Sequence, residues 1–429
     1  MKIEFHGAAL EVGRSCISIT TDKGNKYLID FGIKFKETGF EAPINIPPVN
    51  EIKAVFLSHA HLDHSGGLPL LEHMNLNCPI FCTKQTFSIA KILLKDSYKI
   101  ERIRNIHPAY NNTDLKEIQK DTRFVTFDKW YTFGDLKFTY LNAGHIPGSA
   151  MILFIIDGKR VLYTGDFNSR PSLLMNTDFN KEELSKPIDV LITESTYGYR
   201  ELPERLGLEN DMINSIKQTL ANKGSVLIPV FALGRAQEIL IMLGRSDISS
   251  NIYVDGMCKK VTRTILDTKS KYVNNLEPLK HAFDEKAQWI GSPKKRKDAI
   301  KNGGVFLTTS GMLQGGPVLE YVKEFWHDDK SKIIMTGFQC KRTNGRHLLE
   351  EGFVYIDGWK TFVKCQIEKY DFSGHADRLA IQTFVKMINA KVVVFQHGDQ
   401  EAIDALKQWA ETNITSKIYT PIIGDSFEY

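Results

Sequence analysis

Ser58-His59-Ala60-His61-Leu62-Asp63-His64 sets three imidazoles and a carboxylate within six residues, directly after the apolar run Ala54-Val55-Phe56-Leu57. A buried strand ending in such a turn, with Gly66-Gly67 before the next apolar stretch, delivers nitrogen and oxygen donors from one short loop. Imidazole with carboxylate is the donor mixture that suits zinc. A polar surface turn is the alternative for any one of these side chains. Four donors at this spacing behind a strand favour half of a two-metal site. One loop cannot close two coordination spheres, so cooperating donors are expected elsewhere.

They recur at strand exits. Leu136 to Leu141 runs into Ala143-Gly144-His145, Arg160 to Tyr163 into Thr164-Gly165-Asp166, and Lys391 to Phe395 into Gln396-His397-Gly398-Asp399. Lys26 to Ile29 meets Asp30, and Asp189 to Thr193 meets Glu194. Strand ends that all aim ionisable groups at one rim are hard to explain by packing.

In order along the chain, His59, His61, Asp63, His64, His145 and Asp166, with Asp30 ahead of them, resemble the motifs of the metallo-β-lactamase superfamily. Three further matches narrow the resemblance to its β-CASP nuclease branch: Glu194 in Thr193-Glu194-Ser195-Thr196-Tyr197-Gly198, His375 in Phe372-Ser373-Gly374-His375-Ala376-Asp377, and His397. That branch includes the nuclease subunit of the messenger-RNA cleavage and polyadenylation machinery and its archaeal and bacterial relatives. Members acting on RNA resemble this chain in having histidine at the position of His397, where DNA-repair members usually carry an aliphatic residue. The resemblance implies an αββα sandwich with an inserted β-CASP domain built on a parallel sheet with flanking helices.

It also implies a ligand set. His59, His61 and His145 would hold one zinc ion, Asp63, His64 and His397 a second, and Asp166 would bridge them, with manganese as a substitute metal. Such a pair sits ~3.5–4 Å apart and lowers the pKa of a shared water that attacks phosphorus in line. Asp30 fits as an outer acceptor that fixes a histidine tautomer; a plain turn before Gly32 is the alternative. Asp63 and Asp166 count among the catalytic residues, together with His375 and Glu194. A carboxylate beside His375 would stabilise its protonated form and let it act as general acid towards the departing ribose oxygen. A further metal-site role or a helix cap is the alternative for His375.

With 429 residues, 42% hydrophobic and 25% charged, the chain is long enough for two cored domains. A formal charge of +4 is too mild to demonstrate a polyanion partner and would not repel one. Six scattered cysteines without a Cys-x-x-Cys pair, and a start that lacks a signal-peptide pattern, point to free thiols in the cytoplasm. No apolar run approaches the ~20 residues that span a bilayer, so no membrane association is expected.

The pattern divides the chain into residues 1–200, an insertion at 201–367 and a return segment at 368–429. Short β-rich runs fill the first part, with helical interludes at Leu68 to Met74 and Phe87 to Leu94. The insertion alternates strand, glycine-bearing loop and helix, which implies a parallel sheet with crossover helices. Its loops around Arg235, around Ser310, Gly311 and Gly315, and around Lys341, Arg342, Thr343 and Arg346 are candidates for phosphate contact through helix-start amides and basic side chains. Each resembles a stretch in β-CASP nucleases, except that Arg342 stands where a small residue is common. Glycine-rich loops of any parallel sheet are the alternative.

The expectation is a zinc-dependent β-CASP ribonuclease for RNA processing or decay, endonucleolytic, 5′–3′ exonucleolytic or both. Single-stranded RNA would lie in a cleft between the domains, with DNA as a second candidate and a homodimer compatible with the sequence. A non-catalytic scaffold subunit is a rival from another class, but no expected ligand is missing. Phe325, Trp326, Phe338 and Trp359 are able to stack bases, yet most aromatics of such a domain are core, and none is assigned a site.

Overall fold

The computed structural model describes residues 1–36, 39–103, 108–340 and 342–429. They form two compact units: Met1–Arg170 with Asn176–Glu201 and His375–Tyr429, and Pro171–Met175 with Leu202–Gly374.

The first unit contains two seven-stranded sheets. One runs Ser426–Glu428, Lys2–Phe5, Ile17–Thr20, Lys26–Ile29, Ile52–Phe56, Ile80–Thr83, Thr122–Val125. The other runs Lys417–Tyr419, Val392–Gln396, Val190–Glu194, Lys159–Tyr163, Ala150–Ile156, Leu136–Asn142, Tyr131–Phe133. Alternation along each strand decides which layer a side chain joins. Ala54 and Phe56 enter the core between the sheets with Phe138, Tyr140, Phe154 and Val394. Val55 and Leu57 face the opposite way, into a layer with Leu68, Leu71 and Leu94. Leu153, Leu191 and Val393 of the second sheet meet Ile381, Phe384, Ile403 and Leu406 from helices Arg378–Ile388 and Gln400–Asn413. The unit is thus an αββα sandwich. Its central strands are buried on both faces, which is why they read as continuous apolar runs.

The helix expected at Phe87 to Leu94 is longer than its apolar run, covering Lys84–Ile103. Gln85, Ile89, Leu93, Ser97 and Glu101 continue one buried stripe; the polar members of the stripe hide its length in the sequence.

The second unit is a six-stranded sheet in the order Ala287–Trp289, Ile252–Asp255, Val305–Thr308, Val226–Pro229, Lys332–Met335, Gln366–Lys369, with every neighbouring pair parallel. Helices such as Arg235–Arg245, Val318–Phe325 and Asn344–Glu351 make the crossovers. All six cysteines are free. Among the described residues, no helix is long and apolar enough to cross a membrane.

Candidate metal centre

Strand Ile52–Phe56 delivers the chain into the His59 loop, and the four-residue helix Leu62–Ser65 turns Asp63 and His64 inward. The neighbouring strand Lys26–Ile29 ends at Asp30, whose φ of 56° turns the chain sharply. Gly32 then passes so close to the ligand loop that a Cβ there would lie 1.7 Å from the Asp63 carbonyl oxygen. Only glycine permits that approach.

Asp30 is fully buried and organises the first sheet's donors. Its carboxylate accepts from the Ser58 amide at 2.7 Å, the Ser58 hydroxyl at 2.8 Å, the Tyr163 hydroxyl at 2.7 Å and His64 Nδ1 at 2.7 Å. Donation by Nδ1 leaves the His64 Nε2 lone pair free. The single Ser58 proton is committed to Asp30, so the 3.0 Å contact between Ser58 Oγ and His59 Nδ1 requires the histidine to donate. His59 Nε2 is thereby also an acceptor. One carboxylate thus fixes two imidazoles in the tautomer a metal ligand needs.

Those lone pairs converge on Asp166. His59 Nε2 lies 3.4 Å and His145 Nε2 3.7 Å from one oxygen of Asp166, while His64 Nε2 and His397 Nδ1 each lie 3.3 Å from the other. His397 Nε2 stands 3.5 Å from Asp63, and His61 Nδ1 3.1 Å from His145 Nε2. Two groups of potential ligands result, His59-His61-His145-Asp166 and Asp63-His64-Asp166-His397, each with ligand atoms within 4.8 Å of one another. Asp166 belongs to both.

His59 Nε2, His64 Nε2, His397 Nε2 and both Asp166 oxygens are buried without a hydrogen-bond partner among the described residues. An unsatisfied buried polar atom costs about 1–3 kcal/mol, and five converging on one spot suit a cluster that receives positive charge. The residues present therefore fit bound metal.

Charge balance tells the same story. Burial, assisted by the positive charge of neighbouring histidines, depresses the pKa of His59, His61 and His145, that of His61 to about 3. These three stay neutral and ready to coordinate. Burial also works against charge on His64 and His397, but Asp166 with Asp30 or Asp63 outweighs it and raises both. Asp63 and Asp166 are held below the usual carboxylate range, burial notwithstanding, by the surrounding histidines. The protons on that side stand where positive charge is demanded, and metal binding would displace them.

His375 lies beside this cluster. Its ring packs 4.5 Å from that of His145, and Nδ1 sits 3.0 and 3.1 Å from the two oxygens of Glu194. Glu194, at the end of Val190–Glu194, also accepts the Phe167 amide at 2.8 Å. Burial lowers the pKa of His375, but Glu194 first and Asp166 second reverse this and raise it to about 9. Asp166, Glu194 and His375 also converge within 4.8 Å; the His375–Glu194 side of that trio is already hydrogen-bonded.

Three family descriptions match the chain: Beta-Casp domain over residues 236–348, Zn-dependent metallo-hydrolase RNA specificity domain over 362–421, and Anti-Pycsar protein Apyc1 over 12–188. A probable RNase of Methanocaldococcus jannaschii, RNase MJ4, is 40% identical over 99% of both chains. The chain belongs to the β-CASP nuclease family. An RNase J-like protein of the same organism is 34% identical over 98% of both chains, and RNase aCSPSF2 of Saccharolobus solfataricus is 31% identical over 98% of this β-CASP chain and 84% of its own length. A solved structure from Enterococcus faecalis, of a protein of unknown function, aligns with a TM-score of 0.61 over 99% of both chains at 14% identity, which shows the fold alone.

The β-CASP unit treats its loop residues differently from what helix-start chemistry suggests. Arg235 is buried, pairs with Glu238 and donates to the Phe372 carbonyl at 2.5 Å. Its charge is already balanced internally. The Thr343 hydroxyl caps its own helix, accepting from the Arg346 amide at 3.2 Å and donating to the Cys340 carbonyl at 2.7 Å. Ser310 Oγ accepts from the Gln314 amide at 3.1 Å, and Arg346 pairs with Glu350 at 2.5 Å. Arg235 and Thr343 thus both have internal partners, as buried polar groups require. Gly311 and Gly315 keep amides without a hydrogen bond among the described residues, and Arg342 is exposed. Lys341 lies outside the described residues. Ser58 and Tyr163 were missed from sequence; the only available signal was a hydroxyl adjacent to a histidine or at a strand exit.

Proposed function

We propose that this chain is a ribonuclease that hydrolyses phosphodiester bonds of single-stranded RNA with two bound zinc ions. The observation that carries the reading is the convergence of buried His59, His64, His145, Asp166 and His397 with half-buried His61 and Asp63, beside the His375–Glu194 pair. The names of the relatives, RNases throughout the first three, point the same way. On this reading His59, His61 and His145 hold one ion, Asp63, His64 and His397 the other, and Asp166 both.

The bound ions would supply an activated water and offset negative charge on the phosphoryl oxygens. The chain does the rest. Asp30 and Ser58 keep His64 and His59 presenting Nε2. Glu194 orients His375 through Nδ1–H, which leaves Nε2–H to protonate the departing ribose oxygen. His375 retains 22% side-chain exposure while Glu194 and Asp166 are buried, so it reaches the solvent side of the cluster. Residues 1–200 and 368–429 form the metallo-β-lactamase part on this reading, and 201–367 the β-CASP part. Its setting is the cytoplasm, in RNA processing or decay.

The test is a timed digest of end-labelled RNA with blocked and free 5′ ends, beside single-stranded DNA of the same sequence, with elemental analysis of unchelated protein. Metal-dependent cleavage of RNA and two zinc ions per chain are expected. Faster cleavage of DNA, or metal near zero per chain, overturns the reading.

A further inference from the structure

The hairpin Phe353–Ile356 and Trp359–Phe362 in the second unit carries more exposed aromatic surface than its fold requires. Phe353 pairs with Phe362 and Tyr355 with Lys360, so these four side chains share one face. The opposite face packs into the unit, with Val354 buried in its core and Ile356 against it, and on the first face Phe353 is buried while Tyr355, Lys360 and Phe362 are not. On the first face Tyr355 is 46% and Phe362 62% exposed; Trp359, just past the Asp357-Gly358 turn, pairs with Ile356 and so belongs to the other face. Adjacent exposed rings of this kind form a contiguous apolar patch, which marks a contact surface.

The rings form an organised set. His347, from the helix Asn344–Glu351, stacks on Phe353 at 4.8 Å and 22°, and Phe353 meets Tyr355 edge-on at 5.5 Å. The Lys360 ammonium lies 3.9 Å from the Phe353 centroid and 5.3 Å from that of Phe362, and it makes no ion pair among the described residues. Asn344 fixes the hairpin in place. Its side chain donates to the Tyr355 carbonyl at 3.0 Å and accepts from the Tyr355 amide at 2.8 Å, while also donating to the Leu313 carbonyl at 3.1 Å. The aromatic face is thereby held to the same loop that keeps the Gly311 and Gly315 amides unpaired.

The occupant follows from charge. An apolar protein surface covering these rings would bury the Lys360 ammonium unpaired, which desolvation strongly disfavours. A single-stranded nucleic acid alternates flat π surfaces with one negative charge per nucleotide, matching rings interleaved with a free cation. We infer that the face formed by Tyr355, Lys360 and Phe362 is a stacking platform for single-stranded RNA, distinct from the metal centre. The inference rests on the ribonuclease reading above and names a part of the substrate-binding surface that the phosphate loops do not supply.

Steady-state cleavage of an RNA of about 30 nucleotides by metal-loaded enzyme tests it. Tyr355→Ala with Phe362→Ala should raise KM on the order of 10-fold for each lost base contact, with the loss falling on KM rather than kcat. Phe362→Trp should restore affinity, and Lys360→Gln should reduce the salt slope of binding by about one log unit per log unit. Light scattering and thermal unfolding of each variant report assembly and folding. An unchanged KM in the folded double variant overturns the platform. So does a drop in oligomeric state at unchanged RNA affinity, which would make the face a contact between copies. If the unaltered protein neither binds nor cleaves RNA, the ribonuclease reading falls and takes the platform with it; if it cleaves RNA and only the variant result fails, the platform alone is lost.

Discussion

The metal centre and the rim loops of the β-CASP unit both place polar groups at strand exits, and they treat those groups in opposite ways. Around Asp166, buried nitrogen and oxygen lone pairs are left unsatisfied, and Asp30 spends its hydrogen bonds on keeping two of them so. At Arg235 and Thr343 the side chains that look available are consumed by Glu238, Phe372, Cys340 and the Arg346 amide. A polar side chain at a strand end is thus informative about ligands only when its partners fail to use it. Burial without satisfaction marks the first region as built for something absent from the chain itself.

The sharpest way to break this contrast is Asp166→Ala. Removal of the shared carboxylate should lower metal content and cut RNA hydrolysis by more than the ~10⁴-fold that loss of a general acid costs at most. Full metal occupancy in this variant would show that the cluster is not organised around Asp166.

His375→Ala comes next. It should retain both metals and lose ~10²–10⁴-fold in rate on RNA, while an aryl phosphodiester, whose leaving group needs no proton, is cleaved nearly as before. Equal losses on both substrates would return His375 to a structural or ligand role. Glu194→Gln should act in the same direction, and the double variant should be little worse than His375→Ala alone because the pair acts as a unit. The sign of the pH effect is fixed by the raised His375 pKa. With His375 as the proposed general acid, activity needs the protonated ring and is lost as pH rises through the pKa, so Glu194→Gln should move the alkaline limb of the rate profile to lower pH. A limb that stays in place would separate Glu194 from proton delivery.

Asp30→Asn should weaken metal binding by ~10–100-fold, the usual consequence of altering an outer hydrogen-bond partner. Ser58→Ala should act in the same direction and less, since it releases only the His59 tautomer. Competition with a chromophoric chelator measures both.

The smallest effects belong to the β-CASP loops, where the two kinds of residue should separate cleanly. Thr343→Ala should cost about 1 kcal/mol of stability through its lost helix cap and leave the salt dependence of RNA binding unchanged. Arg342→Ala should do the reverse, lowering the salt slope by about one log unit per phosphate contact at unchanged stability. Thermal unfolding paired with a salt titration distinguishes them.

Much of this molecule was written in local sequence. Strands buried on both faces read as apolar runs, and the donors His59, His61, Asp63, His64, His145, Asp166 and His397 stand soon after them, so both the layers and the members of this cluster were legible from short windows. The strand, loop and helix alternation of the β-CASP unit was equally local. What tertiary structure alone decided is which groups remain unsatisfied. Asp30 meets Ser58, His64 and Tyr163 across 28, 34 and 133 residues of chain, and Arg235 meets the Phe372 carbonyl across 137. A hydrogen bond carries no sequence signal at such separations, because any donor of the right kind will serve wherever the fold happens to bring it.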